Sequence, residues 1–358
     1  MKKQKGAAVI VSFFLAVALL AAGCSFPARG EEEPEPQASL RLVDEEGYTQ
    51  VEVLAVLEGE PLHDPAGVAV TAGGEILVSD GARHQIYRYS PEGELIDQLG
   101  SQGGEPGRFN QPGALSLDGK GNIYVADVGN NRVQVLDAGG RFLRQVGSRD
   151  EFASFFSLQD GFDIPLAGLA ADREGNIYLA LKGAYYDISE NELRKYSPDG
   201  ELVMQLASML EGSYDLVPFT WPGALTVDGE GTIYLVHGAN GVGKVIKIPL
   251  EQNAPIADQT LQFGSLGKGK GELLHTPLGV AVDQEGNIYV SDTHNNRVQV
   301  YDSRGEWLLM FRLAGTPYGE LTEPGNLAVD GEGNLYVVDR GNARVLKIAN
   351  PVRHGSVG

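Results

Sequence analysis

The sequence predicts an all-β fold, a six-bladed β-propeller, and three observations predict it. A Pro-led apolar segment recurs six times: PAGVAV from Pro65, PGALSLD from Pro112, PLAGLAAD from Pro165, PGALTVD from Pro222, PLGVAVD from Pro277 and PGNLAVD from Pro324. The spacings are 47, 53, 57, 55 and 47 residues, the self-similarity expected of a repeat architecture whose length is absorbed by one unit. Glycine is abundant, 48 of 358 residues, as many short strands joined by tight turns require. The third observation is a spare strand at one end of the chain and a missing one at the other.

Each repeat reads in the same order. The opening segment is nearly continuous in apolar residues, the pattern of a strand buried on both faces. A turn of the form D-x-x-G-N follows, in which Gly takes the left-handed backbone and Asp or Asn satisfies the turn. The second strand then reads GEILVSD, GNIYVAD, GNIYLAL, GTIYLVH, GNIYVSD and GNLYVVD. Its Tyr124, Tyr178, Tyr234, Tyr289 and Tyr336 fall at one repeated place and are expected to pack between blades. A third strand is clearest in NRVQVLD and NRVQVYD, and a fourth in RFLRQVG. The last repeat has only three strands, ending near Asn350, while YTQVEVLAVLEG from Tyr48 to Gly59 has no repeat of its own. That segment is expected to supply the outer strand of blade six and so leave no open edge between first and last blades.

This unit resembles the NHL repeat over roughly residues 65–349. The resemblance implies four-stranded blades around a central channel.

The amino-terminal region reads as an address. Lys2, Lys3 and Lys5 precede an apolar run from Ala7 to Ala22, and LLAAGC ends at Cys24, the layout of a secretory leader. It resembles a bacterial lipoprotein lipobox, with Ala21 where that family prefers Leu, and the resemblance makes Cys24 the lipidation site. The expected organisation is a leader over 1–23, a flexible acidic tether over 24–47, the propeller over 48–350 and a tail over 351–358. EEEPEPQ in the tether offers little apolar surface to bury; fully extended, the tether reaches roughly 60–70 Å from a membrane. The expected location is extracytoplasmic and membrane-anchored, the chain a monomer.

Charge narrows the partners. The formal charge is −20, and −23 without the three leader lysines. A surface this acidic repels phosphate backbones, so no nucleic-acid partner is expected. Cys24 is the single cysteine, which rules out an intrachain disulfide and a cysteine-based zinc site.

In a propeller, the connectors from fourth to first strand and from second to third strand share one face. Here Ser148–Ile164, Ser208–Trp221 and Gly264–Thr276 read as long inter-blade connectors, and Lys182–Glu192 as a long turn in blade three. They hold Phe152, Phe155, Phe156, Phe162, Tyr185, Tyr186, Tyr214, Phe219 and Trp221. Long loops on a rigid scaffold are where recognition concentrates. The candidate ligand-binding residues are therefore Phe152, Phe155, Phe156, Tyr185, Tyr186, Tyr214, Phe219 and Trp221; the competing expectation is that these rings pack their own loops. Blades three and four also lose the Asp that ends the second strand elsewhere, with Leu181 and His237 in its place. Arg132, Arg297 and Arg344 repeat with the fold, which points to a structural role across blades.

No catalytic residue stands out. The peptidyl-hydroxyglycine amidating lyases resemble NHL proteins and place zinc histidines just after the Pro of the first strands. Those positions here are Ala66, Gly113, Leu166, Gly223, Leu278 and Gly325, and none can ligate zinc. His84, His237, His275 and His294 fall on the loop face without a shared spacing motif. GSLGKGKG from Gly264 approaches a phosphate loop, but Gly271 stands where Ser or Thr is needed and no helix follows. The expected function is therefore a binding or scaffold module without catalytic residues or cofactor, recognising a protein, a peptide or an envelope glycan through blades two to four. The alternative is a propeller enzyme, a lyase or hydrolase, with Zn or Ca in or near the channel.

Overall fold

The computed structural model describes residues 46–147, 166–182, 191–207, 222–239, 242–273 and 277–354, with Asp44 and Phe219. Contacts divide the chain into Met1–Ala38, which lies outside these residues, and Ser39–Gly358. The second unit is a six-bladed β-propeller of six four-stranded antiparallel sheets.

Blade one consists of Pro65–Val70, Ile76–Asp80, Gln85–Tyr89 and Leu95–Leu99, and blade two of Pro112–Leu117, Ile123–Asp127, Arg132–Leu136 and Phe142–Val146. Blade three holds Leu166–Ala171, Ile177–Leu181, Glu192–Tyr196 and Leu202–Ala207. Blade four holds Pro222–Val227, Ile233–Ala239, Val242–Ile248 and Leu261–Phe263. Blade five is Gly279–Val282, Ile288–Asp292, Arg297–Tyr301 and Trp307–Phe311. Blade six is Pro324–Val329, Leu335–Asp339 and Arg344–Ile348, closed by Val53–Leu57. The spare strand thus lies where the sequence requires it: Val53 pairs with Ile348 and Leu57 with Val345, antiparallel. Closure continues past the strand, because the Thr49 amide donates to the Met310 carbonyl of blade five at 2.8 Å.

The innermost strands pack in pairs. A Cβ on Gly67 would sit 2.5 Å from the Gly113 carbonyl, and one on Gly168 would sit 2.6 Å from the Gly223 carbonyl. Gly279 meets Gly325 in the same way. Blades one and two, three and four, and five and six therefore approach backbone to backbone, which only glycine allows. This explains why the segments alternate between Gly at the third or fourth place and Pro-Gly.

The repeated tyrosines are buried between blades as expected, and each also closes its own turn. The hydroxyls of Tyr124, Tyr178, Tyr234, Tyr289 and Tyr336 donate to Oδ2 of Asp118, Asp172, Asp228, Asp283 and Asp330 at 3.0–3.1 Å. Burial first, then these carboxylates, push the ionisation of all five well above that of an ordinary tyrosine.

Third-strand cations staple neighbouring blades. Arg88 donates to the Ala138 carbonyl in blade two, Lys247 to Ser303 in blade five, and Lys347 to Pro91 in blade one. The last contact spans the closure.

Candidate functional site

The antiparallel meander puts the inter-blade connectors and the second-to-third turns on one face. The D-x-x-G-N turns and the third-to-fourth turns lie on the other.

On the connector face, blades two, five and six share one buried lock. Asp127, Asp292 and Asp339 end their second strands with no solvent exposure. Each takes the guanidinium of the Arg directly across the ladder: Arg132 at 2.8 Å, Arg297 at 2.7 Å and Arg344 at 2.7 Å. The far ends of these arginines donate to connector carbonyls: Glu105 and Arg108 for Arg132, Lys268, Gly269 and Glu272 for Arg297, Tyr318 and Glu320 for Arg344. The Asp reaches the same connector from the other side, accepting from the Asn110 amide in blade two and the Thr322 amide in blade six. One ion pair therefore clamps the chain as it enters the blade. The structural reading of these arginines holds, and the geometry adds that their target is the connector backbone.

Blades three and four replace the lock entirely. Leu181 stands opposite Glu192, and His237 opposite Lys244. In blade three the charge order is reversed: Arg194, two places further along, bonds Glu192 at 2.7 Å, and Gln205 donates to the other Glu192 oxygen at 2.7 Å. In blade four Gln262 bridges His237 at 3.0 Å and Lys244 at 3.2 Å. Blade one keeps Asp80, which accepts from the His63 and Asp64 amides, but Gln85 stands where Arg would be.

Of the candidate binding residues, Phe152, Phe155, Phe156, Tyr185, Tyr186, Tyr214 and Trp221 lie outside the described residues, as does Cys24. Phe219 is described. It is 1% exposed and packs with Leu193, Leu206, Leu225 and Leu235 in the core shared by blades three and four. It serves as a core ring packed on the strands of the two blades.

The Gly264–Thr276 connector corrects the expectation of an expansion. It is the counterpart of the connector from Gly100: Ser265–Leu266 pairs in parallel with Glu272–Leu273 as Gln102 does with Phe109. Gly271 and Gly107 donate to Gln299 and Gln134 alike. Its resemblance to a phosphate loop is incidental, since the amides that would cradle a phosphate are already donated, Gly267 to the Leu273 carbonyl, Gly269 to Glu272 and Gly271 to Gln299.

The channel mouth on the opposite face opens into a cavity of about 610 Å³ ringed by Asp118, Asp172, Asp228, Asp283 and Asp330. These carboxylates are already committed. Oδ1 of Asp118 accepts the amides of Lys120 and Asn122 and Oδ2 accepts the Asn122 side chain and Tyr124; Asp283 and Asp330 repeat the scheme, Asp172 takes its three bonds from Asn176 and Tyr178, and Asp228, with Thr232 in place of Asn, takes Glu230, Thr232 and Tyr234. Among the described residues no three His, Cys, Asp or Glu side chains converge as a metal site. His84 accepts from the Gln111 amide and His237 is buried against Gln262, so both are engaged within the scaffold.

The NHL repeat model matches residues 62–89, 109–136 and 274–301. The chain carries NHL repeats. The matches fall on blades one, two and five. Human E3 ubiquitin-protein ligase TRIM32 is 23% identical over 284 residues, covering 63% of this chain and 42% of that protein. Peptidyl-glycine alpha-amidating monooxygenase B of Xenopus laevis is 24% identical over 276 residues, covering 72% and 28%. Human NHL repeat-containing protein 3 is 30% identical over 195 residues, covering 52% and 51%. The chain thus spans at most about half the length of these relatives. Among solved structures, a gluconolactonase from Xanthomonas campestris superposes with a TM-score of 0.56 at 16% identity over 80% of this chain and 86% of that one. That likeness concerns the fold alone.

Proposed function

We propose that this NHL-repeat propeller is a binding module, held outside the cytoplasm of a bacterium by a lipid on Cys24, that recognises a protein, a peptide or an envelope glycan. The connectors entering blades three and four carry the recognition. One observation supports this reading above the rest: the Asp–Arg lock that clamps the connector in blades two, five and six is replaced in adjacent blades three and four. Those are the blades whose connectors are longest and richest in aromatic residues. Blade one lacks only the Arg and keeps Asp80 on its connector amides, whereas blades three and four give up both partners of the clamp in neighbouring places, an exchange of a generic constraint for local chemistry. The relatives include proteins named for a ligase, for an amidating enzyme and for the repeat alone, so fold and kinship leave the function to the site.

The test is capture from an envelope extract by the residue 40–358 domain. Replacing Phe155, Tyr186 and Trp221 with Ala is expected to abolish capture while the melting temperature holds. Capture that survives the triple replacement would overturn the assignment to this face.

A further inference from the structure

The D-x-x-G-N face is built from short turns in every described blade but one. Between the third and fourth strands, blades one, two, three and five turn through short segments such as Asp137–Arg141. Blade four instead inserts a two-stranded hairpin, Leu250–Glu251 paired with Ala254–Pro255, followed by a short 3₁₀ turn. Its tip residues Gln252 and Asn253 have φ of 49° and 65°, a turn that folds the hairpin back tightly. Closing the blade does not need this hairpin, since the ladder from Val245 to Phe263 is made without it.

The hairpin walls a cavity of about 360 Å³ between blades three and four. The opposite wall is the blade-three turn, DREGN from Asp172. That turn departs from the repeat at its second place, where Arg173 stands and the other blades have Ala72, Gly119, Gly229, Gln284 and Gly331. Arg173 is exposed, and among the described residues its guanidinium has no ion-pair or hydrogen-bond partner. The second cation, Lys195, sits 5.2 Å from the centre of the Tyr178 ring and is pinned at 2.8 Å by Oδ1 of Asn253, the hairpin tip. Four carboxylates line the same space, those of Asp172, Glu174, Asp228 and Glu230. Asp172 and Asp228 are occupied by their turns, but Glu174 and Glu230 are exposed with no ion-pair partner among the described residues.

The cavity therefore offers two cations, Lys195 held by Asn253 and Arg173 open, with two open carboxylates and a net charge of two negatives. A simple anion meets that net charge, and a neutral sugar leaves the unpaired charges unanswered. A basic α-amino acid matches all of it: one carboxylate for Arg173 and Lys195, and two cationic groups for Glu174, Glu230 and the surrounding negative field. Its size also suits the space. We propose that the blade-three/blade-four cavity, walled by the Gln252–Asn253 hairpin, binds a basic amino acid, with Arg173 and Lys195 holding its carboxylate.

Isothermal titration of the full chain with L-lysine and L-arginine at low salt is expected to show one saturable site. L-Lysinamide, which lacks the carboxylate, is expected to bind about tenfold or more weaker, as loss of a charge-assisted bond implies. Nα-Acetyl-L-lysine separates the two sources of this chemistry: retained binding points to a peptide carboxyl end, lost binding to the free amino acid. Arg173→Ala, a residue type that blade one already carries at this place, is expected to leave the melting temperature unchanged and to weaken lysine about tenfold or more. No saturable lysine or arginine binding, equal binding of L-glutamate, or lysine binding unchanged in Arg173→Ala would each overturn the proposal.

Discussion

Replacing Arg297 by Leu tests the connector lock at its most buried copy. Arg297 has no solvent exposure, and it holds Asp292 at 2.7 Å together with the carbonyls of Lys268, Gly269 and Glu272 at 2.6, 2.9 and 2.8 Å. The substitution leaves a buried carboxylate without its cation and takes a donor from three carbonyls, of which Glu272 keeps Gln299 and Gly269 keeps the Glu272 amide. Breaking one partner of such a pair costs about 3–5 kcal/mol. Asp292 keeps Asn295 at 2.8 Å and Gln299 at 3.2 Å, which places the expected loss at the lower end, about 3–4 kcal/mol. For a domain of this size that is a fall of roughly 6–12 °C in melting temperature, read by calorimetry. The double variant Asp292→Asn/Arg297→Leu removes the stranded charge and is expected to recover about 1–2 kcal/mol, with the charge-assisted bonds lost at the connector carbonyls accounting for the remainder. Amide exchange should accelerate over residues 264–273, the clamped connector, before it does so elsewhere. A single variant losing less than about 1 kcal/mol, or a double variant no better than the single, would refute the account of a coupled buried pair.

Three further outcomes follow from the scaffold. Gly168→Ala places a Cβ 2.6 Å from the Gly223 carbonyl and is expected to destabilise by about 2–3 kcal/mol in urea titration, while Gly331→Ala, with nothing nearer than 3.8 Å, should change stability by less than about 0.5 kcal/mol. The buried tyrosines fix the alkaline limit: their ionisation is raised in the folded state, so stability is complete below about pH 10 and falls as pH rises above it, where the unfolded chain releases protons that the folded chain keeps. Ultraviolet titration should show Tyr178, Tyr289 and Tyr336 ionising only with unfolding; a reversible titration of all tyrosines near pH 10 with native circular dichroism would contradict this. A chain beginning at residue 60 lacks the strand Val53–Leu57 and exposes the edge of Arg344–Ile348; size-exclusion chromatography should find it dimeric or aggregated, and a monomer of unchanged stability would show that closure is dispensable.

The fold was legible because five of the six blades repeat the same three pieces of local chemistry, a Gly at the close approach, an Asp that satisfies a turn and a Tyr whose hydroxyl reaches that Asp, while blade one keeps the Gly with Thr71 and Leu77 in the other two places. A fault in one copy leaves five others to set the period. Closure was legible for the same reason, since a three-stranded last repeat and an unpaired first strand imply each other. The site was less legible because it consists of departures, and a departure has no period. Leu181 and His237 are visible in the sequence, but that the missing Asp belongs to a clamp on the connector appears only when Arg132, Arg297 and Arg344 are seen to reach connector carbonyls. Length alone misled at Gly264–Thr276, where the same clamp holds an ordinary connector. Arg173 and the Gln252–Asn253 hairpin escaped notice because they lie about 80 residues apart in the chain and meet only across the seam of blades three and four. The two faces then point to the same pair of blades. On one, the repeated clamp is replaced; on the other, the repeated turn acquires a cation and the neighbouring blade a hairpin. Blade one departs too, with Gln85, Thr71 and Leu77 at repeat places, but it keeps Asp80 and short turns, whereas at the seam of blades three and four both partners of the clamp are replaced on one face and a cation and a hairpin are added on the other.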